Sequence, residues 1–472
     1  MELFFEYQKR NYSELFFLNT IEKRQEFKNV LNCLWTKRKQ FGLTSVYFTE
    51  DISEQQFFTF YDNCIKANNY IGTIKFGENT VQILPKIFQQ KNEKLSKNEL
   101  LFLVNSNVLW WLSRASKIKF PRSFTGWDSQ SYNFIDIIIH LFASLTKDDL
   151  IYNKHQTYIT LEEPIQTLRG RVDFSKYAVN YYTGNAHVLP CIYDSLEIDN
   201  LYNQIVKFTA KLLLYNTENP EIKKLLQEII WVLDDVSDQF ITFNDCDNVV
   251  VSPLNQNMKI ILDYCRMFLS GMSVKTDDDK LEIFTFLIPT EILFQDFIFG
   301  FINEEFRFEK NIIGIFSETN NKGKLLPLAK EIQKTGKEKY VFKLKPDIYI
   351  EREATHIILD TKYKVVYTKE EAKVETRQQS GVSIIDVYQM LAYTVKFNVK
   401  IVHLIYPAKL NSCENNSSRY EIDHHINGSI STIYYHRIPV IIENTCENKS
   451  LEQRIELQET KLRKALKPIV CD

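Results

Sequence analysis

Asp347, Asp360 and Lys362 lie in the segment 344–364, LKPDIYIEREATHIILDTKYK, where two apolar runs each deliver an acidic residue and a lysine follows two places after the second. Two convergent carboxylates make a minimal Mg²⁺ site. The ion lowers the pKa of a bound water and offsets charge on a leaving oxygen, while a nearby lysine orients that water or stabilises the transition state of phosphodiester hydrolysis. The alternative reading is two ordinary strands with charged outer faces. An acidic-x-lysine tripeptide does not decide between them, because the chain holds at least six: Glu221/Lys223, Asp278/Lys280, Asp360/Lys362, Glu371/Lys373, Glu447/Lys449 and Glu459/Lys461.

Backbone conformation separates the six. Side chains at i and i+2 share a face only on an extended chain, and HIILDTKYK is the β-branched context among them; the other five stand in helical or loop-like sequence. The preceding run, YVFKLKPDIYIE, sets Asp347 directly after Pro346 and on the face opposite Ile348 and Ile350. Hairpin pairing of the two runs brings Asp347 towards Asp360. Further on, DVYQMLAYTVKF reads as a helix with Gln389 and Tyr393 at i and i+4 on one face. Taken by themselves, these two read as a solvent-facing glutamine and a half-buried tyrosine.

The elements that must hold these residues follow from pattern. YIGTIKFGENTVQILPKI (70–87) is a hairpin in a β-containing N-terminal region. NELLFLVNSNVLWWLSRASKI and SYNFIDIIIHLFASLTKDDLI show helical spacing, with Trp110 and Trp111 read as packing residues. A strand-and-turn unit around Arg169-Gly170-Arg171 precedes two more helices, the second opened by Asn219-Pro220, so the middle third reads as mainly helical. A helix after Pro289 leads to the strand candidate RFEKNIIGIF and then to a lysine-rich stretch, 317–339, read as a mobile connection. Strand (340–351), strand (355–363), helix (384–397) and strand (399–406) complete an α/β arrangement. A charged helix closes the chain. The resulting fold class is α+β and multidomain, divided at 1–160, 161–280, 281–445 and 446–472.

Composition narrows the class. The 472 residues are 44% hydrophobic and 25% charged, enough for a sizeable soluble core. No stretch reaches the ~18 uninterrupted apolar residues of a membrane span, and the charged N-terminus does not read as a signal peptide. Eight scattered cysteines without a CxxC pair fit a reducing cytoplasm. Net charge is −2, yet residues 321–400 hold 16 Lys/Arg against 10 Asp/Glu, so a polyanion meets that part first.

Pro346-Asp347, then Asp360-Thr361-Lys362, then Gln389 to Tyr393 resemble the PD-(D/E)xK nuclease motif and its following QxxxY helix. Three further segments in the same order, IKFGENTVQILPKI (74–87), LRGRVDF (168–174) and DNLYNQIVK (199–207), resemble the signatures of the McrC family, the nuclease subunits of McrBC-type restriction systems. The resemblance covers roughly residues 70–410. It implies a C-terminal restriction-endonuclease-like domain (281–445) with a mixed sheet flanked by helices, and an N-terminal domain (1–160) that contacts a motor. It also implies an Mg²⁺-dependent DNA endonuclease acting in defence against foreign DNA. The implied partners are double-stranded DNA and a hexameric McrB-like AAA+ GTPase. GTP is bound by that partner, in keeping with the lack of a GxxxxGK[ST] loop in this chain.

Carried over residue by residue, Asp347 and Asp360 match the metal-binding acids, Lys362 the catalytic lysine, and Gln389 and Tyr393 the supporting helix. One departure stands out: the helix before the core often carries Glu in an LFE context, whereas ILFQDF places Gln295 there, leaving Glu291 or Asp296 as possible substitutes. Arg169 and Arg171 have two readings, contact with phosphate or partner, and a structural turn bent at Gly170. Two other functions stay open: a self-sufficient nuclease with its own target recognition, and an activating scaffold whose nuclease site has decayed.

Overall fold

The computed structural model describes all residues except 41–46, 48–51, 77–78, 90–94, 118–133, 153–154, 218, 252–254, 272–282, 318–325, 333–337, 354, 365–381, 409–416, 425–428, 444–449 and 472. The chain forms two compact units, one of Met1–Thr36, Val46–Tyr132 and Thr285–Asp472, the other of Lys37–Ser45 and Asn133–Phe284. Elements are numbered in chain order.

In the first unit, β1 (Glu2–Phe5), β5 (Tyr70–Phe76), β6 (Asn79–Leu84) and β10 (Ile283–Pro289) make a sheet of order β1-β6-β5-β10. The hairpin read from 70–87 is present, β5 pairing antiparallel with β6 and Ile74 opposite Val81. Gly72 has φ +128°, and a Cβ there would stand 1.8 Å from the Phe286 carbonyl oxygen, so only glycine lets β10 approach. A small sheet of β2 (Lys9–Asn11), β3 (Phe58–Phe60) and β4 (Cys64–Ala67) adjoins α1 (Ile21–Lys37), whose Phe27 meets Phe58, Phe60 and Phe76 edge-on.

α2 (Lys97–Arg114) opens on a Ser96/Glu99 capping box, which satisfies otherwise unpaired amides of the first turn. Its Trp110 and Trp111 are fully buried, their indole N–H groups donating to Glu459 and to the Val440 carbonyl, as packing residues should.

The second unit holds a sheet of β7 (Thr157–Ile165), β8 (Arg171–Val172) and β9 (Leu189–Glu197), with α3 (Phe134–Tyr152), α4 (Phe174–Tyr182), α5 (Leu201–Asn216), α6 (Pro220–Val232) and α7 (Gln256–Gly271). The middle of the chain is therefore less helical than its pattern suggests. The irregular alternation of LPCIYDSLE conceals β9, the central strand of this sheet. Asn200 caps α5 by accepting from the Asn203 amide. Asn203 in turn donates to the carbonyls of His155 and Ile198, so both act in folding. Lys207 is buried and donates to the carbonyls of Val236 and Asp234 beyond the end of α6.

Returning to the first unit, α8 (Thr290–Phe306) starts just after Pro289, and β11 (Ile312–Ser317) follows. The lysine-rich stretch forms β12 (Leu326–Ile332), which pairs with β13 (Glu338–Leu344) as a separate two-stranded hairpin. The run read as one strand, 340–351, is split at Lys345-Pro346. Proline has no amide to continue a ladder and restricts the residue before it. β14 (Ile348–Arg352) belongs to a different sheet.

That sheet runs β11-β14-β15-β16-β18-β17, with β15 (His356–Thr361), β16 (Ile401–Pro407), β17 (Ser417–His424) and β18 (Ser429–Ile438). It is mixed: β15, β16 and β18 are parallel to one another, and the outer pairings are antiparallel. α9 (Ile384–Phe397) connects β15 to β16 and buries Met390 and Tyr393 against Ile358, Val402, Leu404 and Ile433. α8 contacts β11 and β15, and the closing helix α10 (Leu451–Val470) contacts β18 and α8. α10 buries Leu462, Leu466 and Ile469, and its Glu459 pairs with Arg114 at 2.5 Å.

His403 and His436 are half-buried neighbours on β16 and β18, Nδ1 to Nε2 at 3.0 Å. Burial pushes His436 down to about 4, and burial with the His436 and Arg352 charges pushes His403 down to about 3. Both imidazoles are thus held neutral when folded. The unfolded chain binds their protons below the ordinary value of 6.5, so stability from this pair is full above that pH and falls on acidification towards 4. Urea denaturation should show a larger loss from about pH 7 to about pH 5 in the native chain than in a His403→Gln/His436→Gln variant. Equal losses would remove the pair from the acid response.

Candidate active site

Three pieces of backbone build the site: the Pro346 break, the end of β15 and the exposed-to-buried face of α9. Asp347 stands one residue before β14, and its Oδ2 accepts from both the amide (2.8 Å) and the hydroxyl (2.8 Å) of Thr361. This clamp ties the start of β14 to the end of β15, fixing one carboxylate relative to the other. The chain stays extended past β15, with the Lys362 amide donating to the Ile405 carbonyl at 2.8 Å. Asp360 and Lys362 therefore share a face, and Lys362 Nζ lies 2.6 Å from Asp360 Oδ2.

α9 lays a matching row of polar side chains over that face. Gln389 Oε1 accepts from Lys362 Nζ (3.0 Å), and Gln389 Nε2 donates to Asp360 Oδ1 (3.2 Å) and to the Tyr393 hydroxyl (2.8 Å). The Tyr393 hydroxyl donates to the Lys345 carbonyl at 2.9 Å. The amide orientation is dictated by its neighbours, because an ammonium only donates and a carboxylate accepts. One turn earlier, Asp386 receives Lys364 Nζ on both oxygens at 3.0 Å and the Tyr406 hydroxyl at 3.3 Å. Asp386 thus meets Lys364, and Gln389 meets both Lys362 and Asp360 of the extended segment, while Tyr393 ties Gln389 to the Lys345 carbonyl. Gln389 is not the solvent-facing residue that helical spacing alone suggests, and Tyr393 is buried outright.

Burial dominates the electrostatics. Asp360 is 0% exposed. Loss of water, then the Asp347 charge, push its carboxyl up to about 8 against the pull of Lys362, with Asp386 adding to the rise. Burial works against the Lys362 ammonium as well, but Asp360, Asp347 and Asp386 outweigh it and hold the lysine above its ordinary value, so it stays charged. Asp360 Oδ2 is buried without a well-directed hydrogen bond, despite the nearby ammonium.

A buried acceptor beside a second carboxylate suits a hard divalent cation. Among the described residues no cluster of three or more His, Cys, Asp or Glu side chains forms a metal cage. The protein donors would then be the Asp347 and Asp360 carboxylates, a set that suits an ion keeping several of its waters.

The other candidates stand on other elements. Glu291, in the first turn of α8, is exposed, and its charge acts on Tyr7 and Lys86. Asp296 is buried and accepts from Tyr47, Ser116 and the Lys117 amide, a structural hub. Arg169 and Arg171 belong to the second unit and flank Gly170, whose φ of +60° makes the bend; both are exposed, and Arg169 stacks over Tyr193 at 5.4 Å. Of the rival tripeptides, Glu221/Lys223 and Glu459/Lys461 are helical, while Asp278/Lys280, Glu371/Lys373 and Glu447/Lys449 lie outside the described residues.

Thr361, Lys364 and Asp386 escape the sequence reading. The only local signal was the spacing of Asp386 three residues before Gln389, one helical turn away on the same face.

The model of the family described as "McrBC 5-methylcytosine restriction system component" matches residues 65–407. No curated protein matches the sequence significantly. Among solved structures, the chain is similar to one in the refined half-complex from the tetradecameric assembly of Thermococcus gammatolerans McrB AAA+ hexamers with bound McrC. The TM-score is 0.67 at 15% identity, covering 97% of this chain and 99% of that one. A chain of the cryo-EM structure of the Thermococcus gammatolerans McrBC complex aligns with TM-score 0.49 and 18% identity, over 63% of this chain and 86% of that one. The first likeness extends the shared fold over nearly the whole chain.

Tyr393→Phe keeps the buried ring and removes only the hydroxyl that links Gln389 to Lys345. The expected loss in urea denaturation is about 1 kcal/mol. A variant as stable as the native chain would show that this hydroxyl does not anchor the helix.

Proposed function

Since the chain belongs to the family of McrBC 5-methylcytosine restriction system components, the matched span being well over half its length, we propose that it is the Mg²⁺-dependent DNA endonuclease subunit of a GTP-driven restriction complex. The observation that carries this reading is the buried Asp360 carboxyl, whose Oδ2 lacks a directed donor, held with Asp347 and Lys362 at the end of β15. Its partner would be a McrB-like AAA+ GTPase hexamer. The resemblance to a chain from an assembly of such hexamers with McrC supports this, as does the lack of a GxxxxGK[ST] phosphate loop in this sequence. No helix among the described residues is long and apolar enough to cross a membrane.

Asp347 and Asp360 would hold the cation, which when bound supplies an activated water and charge neutralisation at the phosphate. The protein's own share is orientation. Thr361 fixes Asp347, Gln389 fixes Lys362 against Asp360, and the Lys362 ammonium faces the position where negative charge develops on the phosphoryl oxygens. Burial keeps bulk water from screening that charge.

In the complex reconstituted with its AAA+ partner, GTP and Mg²⁺, Asp360→Ala should abolish DNA cleavage; undiminished cutting would sink the site. Lys362→Ala should lose cleavage by roughly a factor of 100 or more while partner binding persists, because the lysine touches only catalytic-face groups. Robust cutting by the purified chain without partner or nucleotide would instead favour a self-sufficient nuclease.

A further inference from the structure

The break at Lys345-Pro346 leaves β12 and β13 outside the six-stranded sheet, and no residue of either strand is buried. Only the root of this hairpin is fastened. Leu344 packs against the core that holds Met390 and Tyr393, and α9 contacts β12. The next residue, Lys345, gives its carbonyl to Tyr393, and Asp347 follows two places on. The hairpin therefore grows directly out of the nuclease centre. At about 3.3 Å per residue, its seven-residue strands span roughly 20 Å from that root.

A two-stranded hairpin is marginal in water, and this one also exposes large apolar side chains. Leu328, Ile332, Tyr340 and Phe342 are 42%, 75%, 58% and 73% exposed. Phe342 has φ +56°, a costly conformation for a bulky residue, and the ladder skips it. Lys330 is used within the hairpin, its ammonium 2.8 Å from Glu338 and 5.3 Å from the Tyr340 ring. Lys339 and Lys343 are exposed, and among the described residues neither takes part in an ion pair.

Charge selects what this hairpin meets. Residues 326–345 hold six lysines against two glutamates, so a second copy of the hairpin would repel the first. Covering unpaired ammoniums with a neutral protein face is also costly. A DNA duplex offers the complementary charge, with phosphates for the lysines, sugars for the apolar rings, and a major groove wide enough for a two-stranded ribbon. Neither strand carries Arg, Asn or Gln, which read base edges through paired hydrogen bonds, so the contact is chiefly to the backbone.

We propose that the β12–β13 hairpin is a DNA-gripping arm of the nuclease centre: Lys339 and Lys343 bind backbone phosphates flanking the cut, and Tyr340 and Phe342 pack on the sugars beside them. The arm rests on the DNA-cleaving reading above and extends it from the reacting phosphate to the duplex around it. Tyr393 joins the root of the arm to Gln389, and Gln389 to Asp360, so the grip and the reacting centre share one frame.

The test is binding of a labelled DNA duplex by the full chain in EDTA, where hydrolysis does not run, over a series of salt concentrations. Each lost phosphate contact flattens the slope of log affinity against log salt by about one. Lys339→Gln and Lys343→Gln should each weaken binding roughly 3- to 10-fold at about 0.1 M salt and flatten the slope by about one, and the double variant by about two. Lys339→Arg/Lys343→Arg, which keeps the charge, should keep the slope. Tyr340→Ser/Phe342→Ser should weaken binding with the slope unchanged, and duplexes of unrelated sequence should respond alike.

Native affinity and slope in the Lys339→Gln/Lys343→Gln chain, or no duplex binding by the native chain at about 0.05 M salt, would overturn the arm. So would native DNA affinity in a Tyr340→Ser/Phe342→Ser chain that no longer self-associates or no longer binds the AAA+ partner, because the hairpin would then be a protein interface. If a double variant does not fold, the single substitutions at these exposed positions decide the same question. The nuclease reading fails separately, if the native complex with GTP and Mg²⁺ binds DNA through these lysines and never cuts it.

Discussion

A carboxyl group with no access to water sits at the end of β15, and much of the surrounding structure answers to it. Ionising Asp360 inside the sheet is expensive, and the Asp347 charge beside it makes it more so. The neighbouring groups offset that cost: Lys362 supplies charge, Gln389 supplies a donor, and the helix carrying Gln389 is fastened to the Lys345 carbonyl through Tyr393. What the protein does not supply is a directed partner for Asp360 Oδ2. A site built this way is stable only partly neutralised, which is the condition under which a divalent cation gains most by binding.

The same demand explains the path of the backbone. Were the run 340–351 one continuous strand, Asp347 would be a ladder residue with its side chain fixed by strand pairing alone. The break at Lys345-Pro346 sends β13 into its own hairpin and leaves Asp347 at a corner, where Thr361 takes hold of it. At the same break the Lys345 carbonyl accepts from the Tyr393 hydroxyl. A feature that weakens a strand thus supplies two anchor points to the site.

Much of this was legible in the sequence. α9 spans Ile384–Phe397, as its apolar spacing predicts, and β15 and β16 fall on the runs assigned to them. Extended geometry at HIILDTKYK separated Asp360 and Lys362 from helical look-alikes such as Glu221/Lys223 and Glu459/Lys461. β9 and β12 were not legible. LPCIYDSLE lacks clean alternation because its burial is uneven, and LPLAKEI pairs in a hairpin exposed on both sides, so no buried face imprints a period of two.

Sequence by itself determined what depends on neighbours along the chain: which residues lie on an extended segment, which share a helical face, and where a proline interrupts a ladder. Those properties follow from backbone sterics and side-chain periodicity, which act over a few residues. Tertiary structure alone decided that Thr361 holds Asp347, that Asp386 holds Lys364, and that Lys86 arrives over Tyr363 from a segment more than half the length of the chain away. The register between α9 and β15 is chosen by packing of Met390 and Tyr393 in the sheet, and the charge balance at Asp360 is a sum over groups brought together only by that packing. Electrostatic interaction in a dry interior depends on distance in space and not on separation in sequence, so the state of the site could not be read before the fold was known.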